Sequence, residues 1–306
     1  MIEIFLKKRG AISVAIGKVV RAIAGFYYVE PLEGGQPIEC SIRGKLKLTF
    51  DSILVGDKVE YICKDKGIIT EILPRQSVLK RPYVANIDCI VLVFAHQNPD
   101  PSDVLIAKFL VLASASGISH LIVFNKSDLV SQVKMKRLAE TYRSFGYQVI
   151  CTSVLTHLGK RTLSKALQGK TTVFAGPSGV GKTALVNMVA PGFMLKTGTL
   201  SEKISRGKHT TREVQLLKMN QNSYIADTPG FSQIELKEIR PEELAEYFPD
   251  FRDYQGKCKF NSCIHLNEPG CQVKKAVEVG NIPESRYQVY IELLQEIKRL
   301  WDNRYR

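Results

Sequence analysis

Two short runs constrain what this chain can fold into, and their order is the unusual part. Asn125-Lys126-Ser127-Asp128 comes first, and Gly176-Pro177-Ser178-Gly179-Val180-Gly181-Lys182-Thr183 comes after it. Each follows an apolar stretch that reads as a buried strand, Ser119 to Phe124 and Thr171 to Ala175, which is where nucleotide motifs stand on a parallel sheet. In the usual arrangement the phosphate run precedes the base run. Here the order is reversed, so the strands must be joined differently while both loops still reach one end of one sheet.

The residue types of the second run follow from phosphate chemistry. Gly176, Gly179 and Gly181 let backbone N–H groups turn inward around phosphate oxygens, and a helix beginning near Lys182 and Thr183 presents its positive end to the same anion. Lys182 should reach the β- and γ-phosphates, and the Thr183 hydroxyl should ligate Mg²⁺. Pro177, Ser178, Val180 and Ala184 complete the loop and the first helical turn. A plain glycine-rich turn would not need the whole G-x-x-x-x-G-K-[ST] pattern at a strand-to-helix junction.

That loop does not choose between ATP and GTP. Asp128 has the chemistry to choose, because one carboxylate accepts two parallel hydrogen bonds from the N1–H and exocyclic amine of guanine, groups that adenine lacks. Asn125 can bind the base edge and tie the loops together, Ser127 completes the run, and the stem of Lys126 can lie along the base plane. Together these features are similar to those of a circularly permuted GTPase. Three weaker pieces fit. Cys151-Thr152-Ser153 ends another apolar run and either presents N–H groups to guanine O6 or is a plain strand end. Asp227-Thr228-Pro229-Gly230 follows a further strand, so that Asp227 can hold Mg²⁺ through water and the Gly230 N–H can sense the γ-phosphate. Arg206 to Arg212 lies between, where Thr210 or Thr211 should bind Mg²⁺; the sequence leaves that choice open.

With GPSGVGKT, RGKHTTR, DTPGF and a cysteine cluster in this order, the chain resembles the bacterial small ribosomal subunit biogenesis GTPases of the RsgA type, over essentially its whole length. The resemblance implies an enzyme that hydrolyses GTP to GDP and phosphate, slow alone and stimulated by the small ribosomal subunit, whose rRNA it binds. Phe231 stands where many GTPases place a water-orienting glutamine, and His209 lies in the segment expected to close over the nucleotide. His209 is therefore a catalytic candidate beside Lys182, with an rRNA contact as its other role. Thr183 replaces the serine usual in such loops and keeps the hydroxyl.

Composition agrees. The 306 residues are 44% hydrophobic and 24% charged, with a net charge of +13 and a pI near 9.3, which suits a polyanionic partner. No stretch of about 18 apolar residues offers a membrane span, and the N-terminal decapeptide has no signal-peptide character. A cytoplasmic monomer is expected. Of seven cysteines, Cys40, Cys63, Cys89 and Cys151 are scattered among apolar residues and read as buried thiols. Cys258, Cys263, His265 and Cys271 cluster as C-x4-C-x-H-x5-C, three thiolates and one imidazole that complete a tetrahedral structural Zn²⁺ site. A disulfide does not suit the cytoplasm. An iron–sulfur cluster is the remaining alternative for these ligands, although the pattern lacks its usual spacing.

The expected architecture is a multidomain α/β chain. Residues 1–80 form an OB-like β-barrel with a linker, from five runs: Ala15 to Ala24, Gly25 to Pro31, Ile38 to Arg43, Lys58 to Cys63 and Gly67 to Leu73. Arg21, Arg43, Lys45 and Lys47 can track a phosphate backbone there, and Phe26, Tyr27 and Tyr28 either stack on bases or fill the core. Arg75 to Tyr83 reads as a basic linker. Residues 81–235 form the permuted P-loop GTPase domain, with helices near 104–116, 131–144 and 182–189 and a hairpin at 212–226, and residues 236–306 a helical zinc-binding domain with a helix over 284–301. The alternative functions are a nucleotide-regulated RNA-binding module with negligible hydrolysis and a cytosolic NTPase with a non-ribosomal target. The γ-phosphate sensor leads into the zinc region and the base-reading half leads back to the barrel, so a GTP-dependent grip on the small subunit, released on hydrolysis, is the expected switch.

Overall fold

The computed structural model describes residues 8–9, 12–23, 25–42, 53–63, 66–80, 83–191, 214–220, 222–227 and 236–303. These divide into two compact units. The first takes Met1–Cys89, Ser164–Phe174 and Val186–Phe231, and the second takes Ile90–Leu163, Ala175–Leu185 and Ser232–Arg306.

In the first unit, short β1 (Lys8–Arg9) flanks β2 (Ile12–Ile23), which pairs with β3 (Phe26–Pro31); β4 (Ile38–Ile42), β5 (Lys58–Cys63) and β6 (Gly67–Ile72) complete the set. The order β2-β3-β4-β6-β5 returns to β2 through a β2–β5 ladder, so the barrel closes. Closure leaves no free edge between these strands. Alternation sends Val19, Val29, Cys40, Val59, Tyr61 and Ile69 inward to one core, on which Tyr27 packs. Phe26 is 46% exposed, so the aromatic run is divided between core and surface. Cys63 departs from expectation. It ends its strand and is exposed.

The stretch read as a linker is folded. β7 (Val78–Lys80) and β8 (Tyr83–Ala85) form an antiparallel hairpin, and Arg75 donates from Nε to Asp57 Oδ1 at 2.7 Å. Asp57 is fully buried, so Arg75 fastens the hairpin's root to the turn before β5. The first unit also contains β12 (Thr171–Ala175) up to Phe174, which runs parallel to β14 (Ser223–Asp227), and β13 (Gln215–Asn220), which is antiparallel to β14.

In the second unit, β9 (Cys89–Ala95), β10 (His120–Asn125) and β11 (Val149–Cys151) are parallel in the order β11-β10-β9. Their near-continuous apolar runs are what a sheet covered on both faces requires. Its helices are α1 (Asp103–Ala115), capped by Ser102 Oγ, and α2 (Gln132–Ser144), capped by Ser131 Oγ, while α3 (Lys160–Leu167) and α4 (Lys182–Val189) begin in this unit and end in residues of the first. Helix α3 has Leu163 and Leu167 fully buried; with Ala166 they form a short i, i+3, i+4 stripe that the expected helices did not include.

After residue 236 the chain makes short 3₁₀ turns, including Pro241–Tyr247, then α5 (Gln272–Glu278) and α6 (Glu284–Asp302). Their core includes Phe248, Phe251, Tyr290, Leu293 and Leu294, together with Ala107 and Val111 of α1. Arg286 on α6 is the polar centre of this packing. It is 4% exposed, donates to Asp250 Oδ1 from Nη2 at 3.0 Å and to the Tyr147 hydroxyl at 3.2 Å, and lies 4.2 Å from the Phe248 ring centroid. Arg286→Ala would strand the Asp250 carboxylate without its partner, which costs about 3–5 kcal/mol when a buried pair is broken. Urea unfolding should show that loss; a change under about 1 kcal/mol would mean that water replaces the guanidinium.

Candidate functional site

The base run sits at the carboxyl end of β10. Asn125 is 2% exposed; its Nδ2 donates to Val180 O at 2.9 Å and its Oδ1 accepts from Thr152 Oγ1 at 3.1 Å. One amide thus joins three loops. Lys126 takes a left-handed conformation with φ 58° and its Nζ donates to Asn98 O. Ser127 is buried and its N–H donates to Thr152 O, while Asp128, in a 3₁₀ turn, is exposed. Asp128 Oδ1 accepts from Ser153 Oγ at 2.5 Å, which fixes the carboxylate's direction. The Thr152 N–H donates to Phe124 O and the Ser153 N–H to Leu158 O. Those two N–H groups are taken by backbone carbonyls, whereas the Ser153 hydroxyl is directed to Asp128.

The phosphate run turns between β12 and α4. Gly176 (φ 140°) and Gly181 (φ 93°) are where glycine is required: a Cβ at Gly176 would lie 2.1 Å from Val93 O, and one at Gly181 2.5 Å from Asn125 Nδ2. Val180 is buried and anchors the loop, while Ser178 and Gly179 are exposed and Pro177 is half-buried. Lys182 Nζ donates to Gly176 O at 2.9 Å and to Pro177 O at 2.7 Å. Burial lowers its pKa to about 8, because the charged form loses water without gaining a carboxylate. Thr183 and Ala184 lie half-buried in the first turn of α4.

Asp227 closes β14, with Gln215 Nε2 3.5 Å from its Oδ2. His209, Thr210, Thr211, Gly230 and Phe231 lie outside the described residues, as do Arg43, Lys45 and Lys47.

The ligand atoms of Cys258, Cys263, His265 and Cys271 lie within 4.8 Å of one another. His265 Nδ1 is 3.6, 3.4 and 3.3 Å from the sulfurs of Cys258, Cys263 and Cys271. Around a tetrahedral zinc with bonds of about 2.3 Å to sulfur and about 2.0 Å to nitrogen, neighbouring ligands stand roughly 3.6 Å apart. The donor set fits. The Gln272 N–H donates to Cys258 Sγ and the Lys274 N–H to Cys271 Sγ, bonds that favour thiolates, and Cys271 caps α5. Burial pushes the Cys263 thiol up to about 12, a cost that a bound cation would offset by favouring the thiolate. Glu268 accepts from the N–H groups of Ile264, Leu266 and Asn267, and Tyr287 and Tyr290 donate to His265 O and Ile264 O. All seven cysteines are free.

Comparison with known proteins agrees with this arrangement. Residues 72–237 match the profile described as RsgA GTPase, and residues 16–69 match the RsgA N-terminal domain. The "Small ribosomal subunit biogenesis GTPase RsgA" of Alkaliphilus metalliredigens is 46% identical over 92% of this chain and 98% of its own length. The chain belongs to the RsgA GTPase family. The protein of the same name from Caldanaerobacter subterraneus subsp. tengcongensis is 44% identical over 95% of this chain and 98% of its own. Two solved structures share the fold. YjeQ from Thermotoga maritima matches with TM-score 0.81 and 39% identity over 93% of this chain and 98% of that one. YloQ, described as a circularly permuted GTPase, matches with TM-score 0.80 and 36% identity over 94% of this chain and 96% of that one. RsgA-type permutation therefore accounts for the reversed motifs: N-terminal barrel, permuted GTPase domain, and a cysteine–histidine cluster after them.

Some supporting residues of this RsgA-family chain were not legible as such. Thr152 orients Asn125, and Glu268 shapes the cysteine turn, yet neither bond has a local signature beyond proximity to a motif. No helix among the described residues is long and apolar enough to cross a membrane.

Proposed function

We propose that this chain holds GTP across the Asn125 and Gly176 loops, hydrolyses it to GDP and phosphate, and uses the cycle in late assembly of the small ribosomal subunit, working as a monomer in the cytoplasm. The observation that carries the reading is the Asn125 amide, whose 2.9 Å bond to Val180 O brings base run and phosphate run together. Asp128, steered by Ser153, takes the guanine edge; Lys126 lies along the base and Ser127 holds the turn. Backbone N–H groups between Gly176 and Ala184, Pro177 excepted, face the phosphates, and Lys182 exchanges its two loop carbonyls for phosphate oxygens. Thr183, Asp227 and either Thr210 or Thr211 hold Mg²⁺, which neutralises phosphate charge; the Gly230 N–H meets the γ-phosphate. Cys258, Cys263, His265 and Cys271 hold one Zn²⁺ as a structural centre. Residues 1–80, 81–235 and 236–306 serve as barrel, GTPase and zinc domains, and the +13 charge supports an rRNA partner.

Phe231 cannot orient water by hydrogen bonding, so His209 takes that role in this scheme. GTP turnover measured with and without purified small subunits tests the whole reading: stimulation by subunits is expected, and none would leave only a nucleotide-regulated binding module. His209→Ala should remove most of the stimulation while GTP and subunit affinity stay unchanged. Loss of subunit binding in proportion would make His209 an rRNA contact instead.

Base choice has its own check. Asp128→Asn should weaken GTP by roughly 100-fold, about 3 kcal/mol for the charge-assisted bonds lost, and improve xanthosine triphosphate, whose C2 oxygen accepts from the new amide. Unchanged preference in competition binding would count against the assignment.

A further inference from the structure

The first unit holds a cavity of about 310 Å³ that none of the residues assigned to GTP lines. Lys18 of β2, Lys58 of β5 and Lys218 of β13 converge on it, beside Asp88, Asn86 and Tyr224. Lys18 is the unusual member. It is only 9% exposed, yet its Nζ contacts a hydroxyl, Thr171 Oγ1 at 2.8 Å, and stands 4.5 Å from the centroid of the Tyr224 ring. Its pKa is lowered by burial; Asp88 opposes the shift, Lys58 adds to it to a smaller extent, and Glu30 opposes it least.

The charges do not cancel. Lys218 is taken by Glu30, whose carboxylate also accepts from the Tyr224 hydroxyl. Asp88 spends Oδ2 on the Thr171 N–H at 2.8 Å. Among the described residues neither Lys18 nor Lys58 forms an ion pair, so with Glu30 engaged by Lys218 the two lysines face the cavity with Asp88 as the carboxylate on its wall. Holding a buried ammonium beside a second one is costly unless an anion joins them. A doubly charged phosphate answers both, and the Gln76 and Asn222 amides on the wall supply neutral donors for its remaining oxygens. The volume suits a small molecule.

We propose that this cavity binds a small phosphorylated molecule, with its phosphate between Lys18 and Lys58. A test uses the full-length protein saturated with GDP and Mg²⁺, titrated with ribose 5-phosphate and with inorganic phosphate while ³¹P line broadening is followed. Saturable binding at one site is expected for ribose 5-phosphate, weakened at least about tenfold by Lys58→Met and by Lys18→Met. Lys66→Met, which removes an exposed lysine paired with Glu39 on the same barrel, should change nothing. Lys58 is only partly buried, so its variant tests the site even if Lys18→Met fails to fold, and GDP retention reports the nucleotide site separately. No saturable binding, equal binding in Lys58→Met, or equal loss in Lys66→Met overturns the proposal. Displacement of the probe by a short oligoribonucleotide would also overturn it, in favour of an RNA backbone phosphate at the same lysines.

Discussion

Lys182→Ala should lower GTP turnover by about 100- to 1,000-fold, the scale of losing one preorganised group that stabilises transferring charge, while leaving the fold intact. The ammonium donates to the carbonyls of Gly176 and Pro177, and the next residues of the loop are open to water, so the variant loses a cation and leaves two carbonyl acceptors beside the solvent-open part of the loop. Burial gives the expectation a second signature. With its pKa lowered to about 8, Lys182 is charged at neutral pH, and phosphate oxygens raise that pKa by stabilising the ammonium. Nucleotide binding therefore takes up a proton at alkaline pH, and affinity falls as pH rises above about 8. The alanine variant should lose this alkaline weakening. Single-turnover hydrolysis and a pH series of GDP affinity test both; wild-type turnover in the variant would falsify the assigned role.

The other large effect is at the cysteine cluster. Cys263→Ser removes one of four ligands from a centre whose metal, in structural sites of this kind, contributes about 10–16 kcal/mol of binding energy to folding. Zinc content should fall from one equivalent to near zero, and the chain from about residue 257 to 271 should become open to proteolysis. The loosening should travel further, because Tyr287 and Tyr290 hold the cluster's carbonyls and Tyr290 shares a core with Ala107 and Val111 of α1. The nucleotide site should persist. Elemental analysis that finds no zinc in freshly purified native protein, or a full equivalent in the variant, would overturn the structural-centre assignment.

How much of this was legible in the sequence depended on how local the cause was. The runs at Asn125 and Gly176 announce themselves, because phosphate and guanine each demand particular residue types at fixed spacing. The C-x4-C-x-H-x5-C pattern does so for the same reason, and β5 was read to the residue from its alternating apolar pattern. What was missed is held by distant partners. Arg75 looked like part of a basic linker until its carboxylate, Asp57, was placed beside it. Lys18 finds Thr171 across 153 positions, and Arg286 finds Tyr147 across 139; no periodicity encodes either. Cys63 was misjudged because an apolar run continues to its strand's last residue, where the barrel no longer covers it.

The Asn125 amide also bears on how long a ligand stays. Because it grips Val180 with one end and Thr152 with the other, the half-sites proposed for the base and for the phosphates are parts of one body rather than two jaws. A nucleotide that lets go at one end remains tethered by the other, at an effective concentration high enough that recapture outruns escape. Exchange then hinges on parting the two halves at this side chain, and residence time, more than contact count, is what a partner that loosens Asn125 would control.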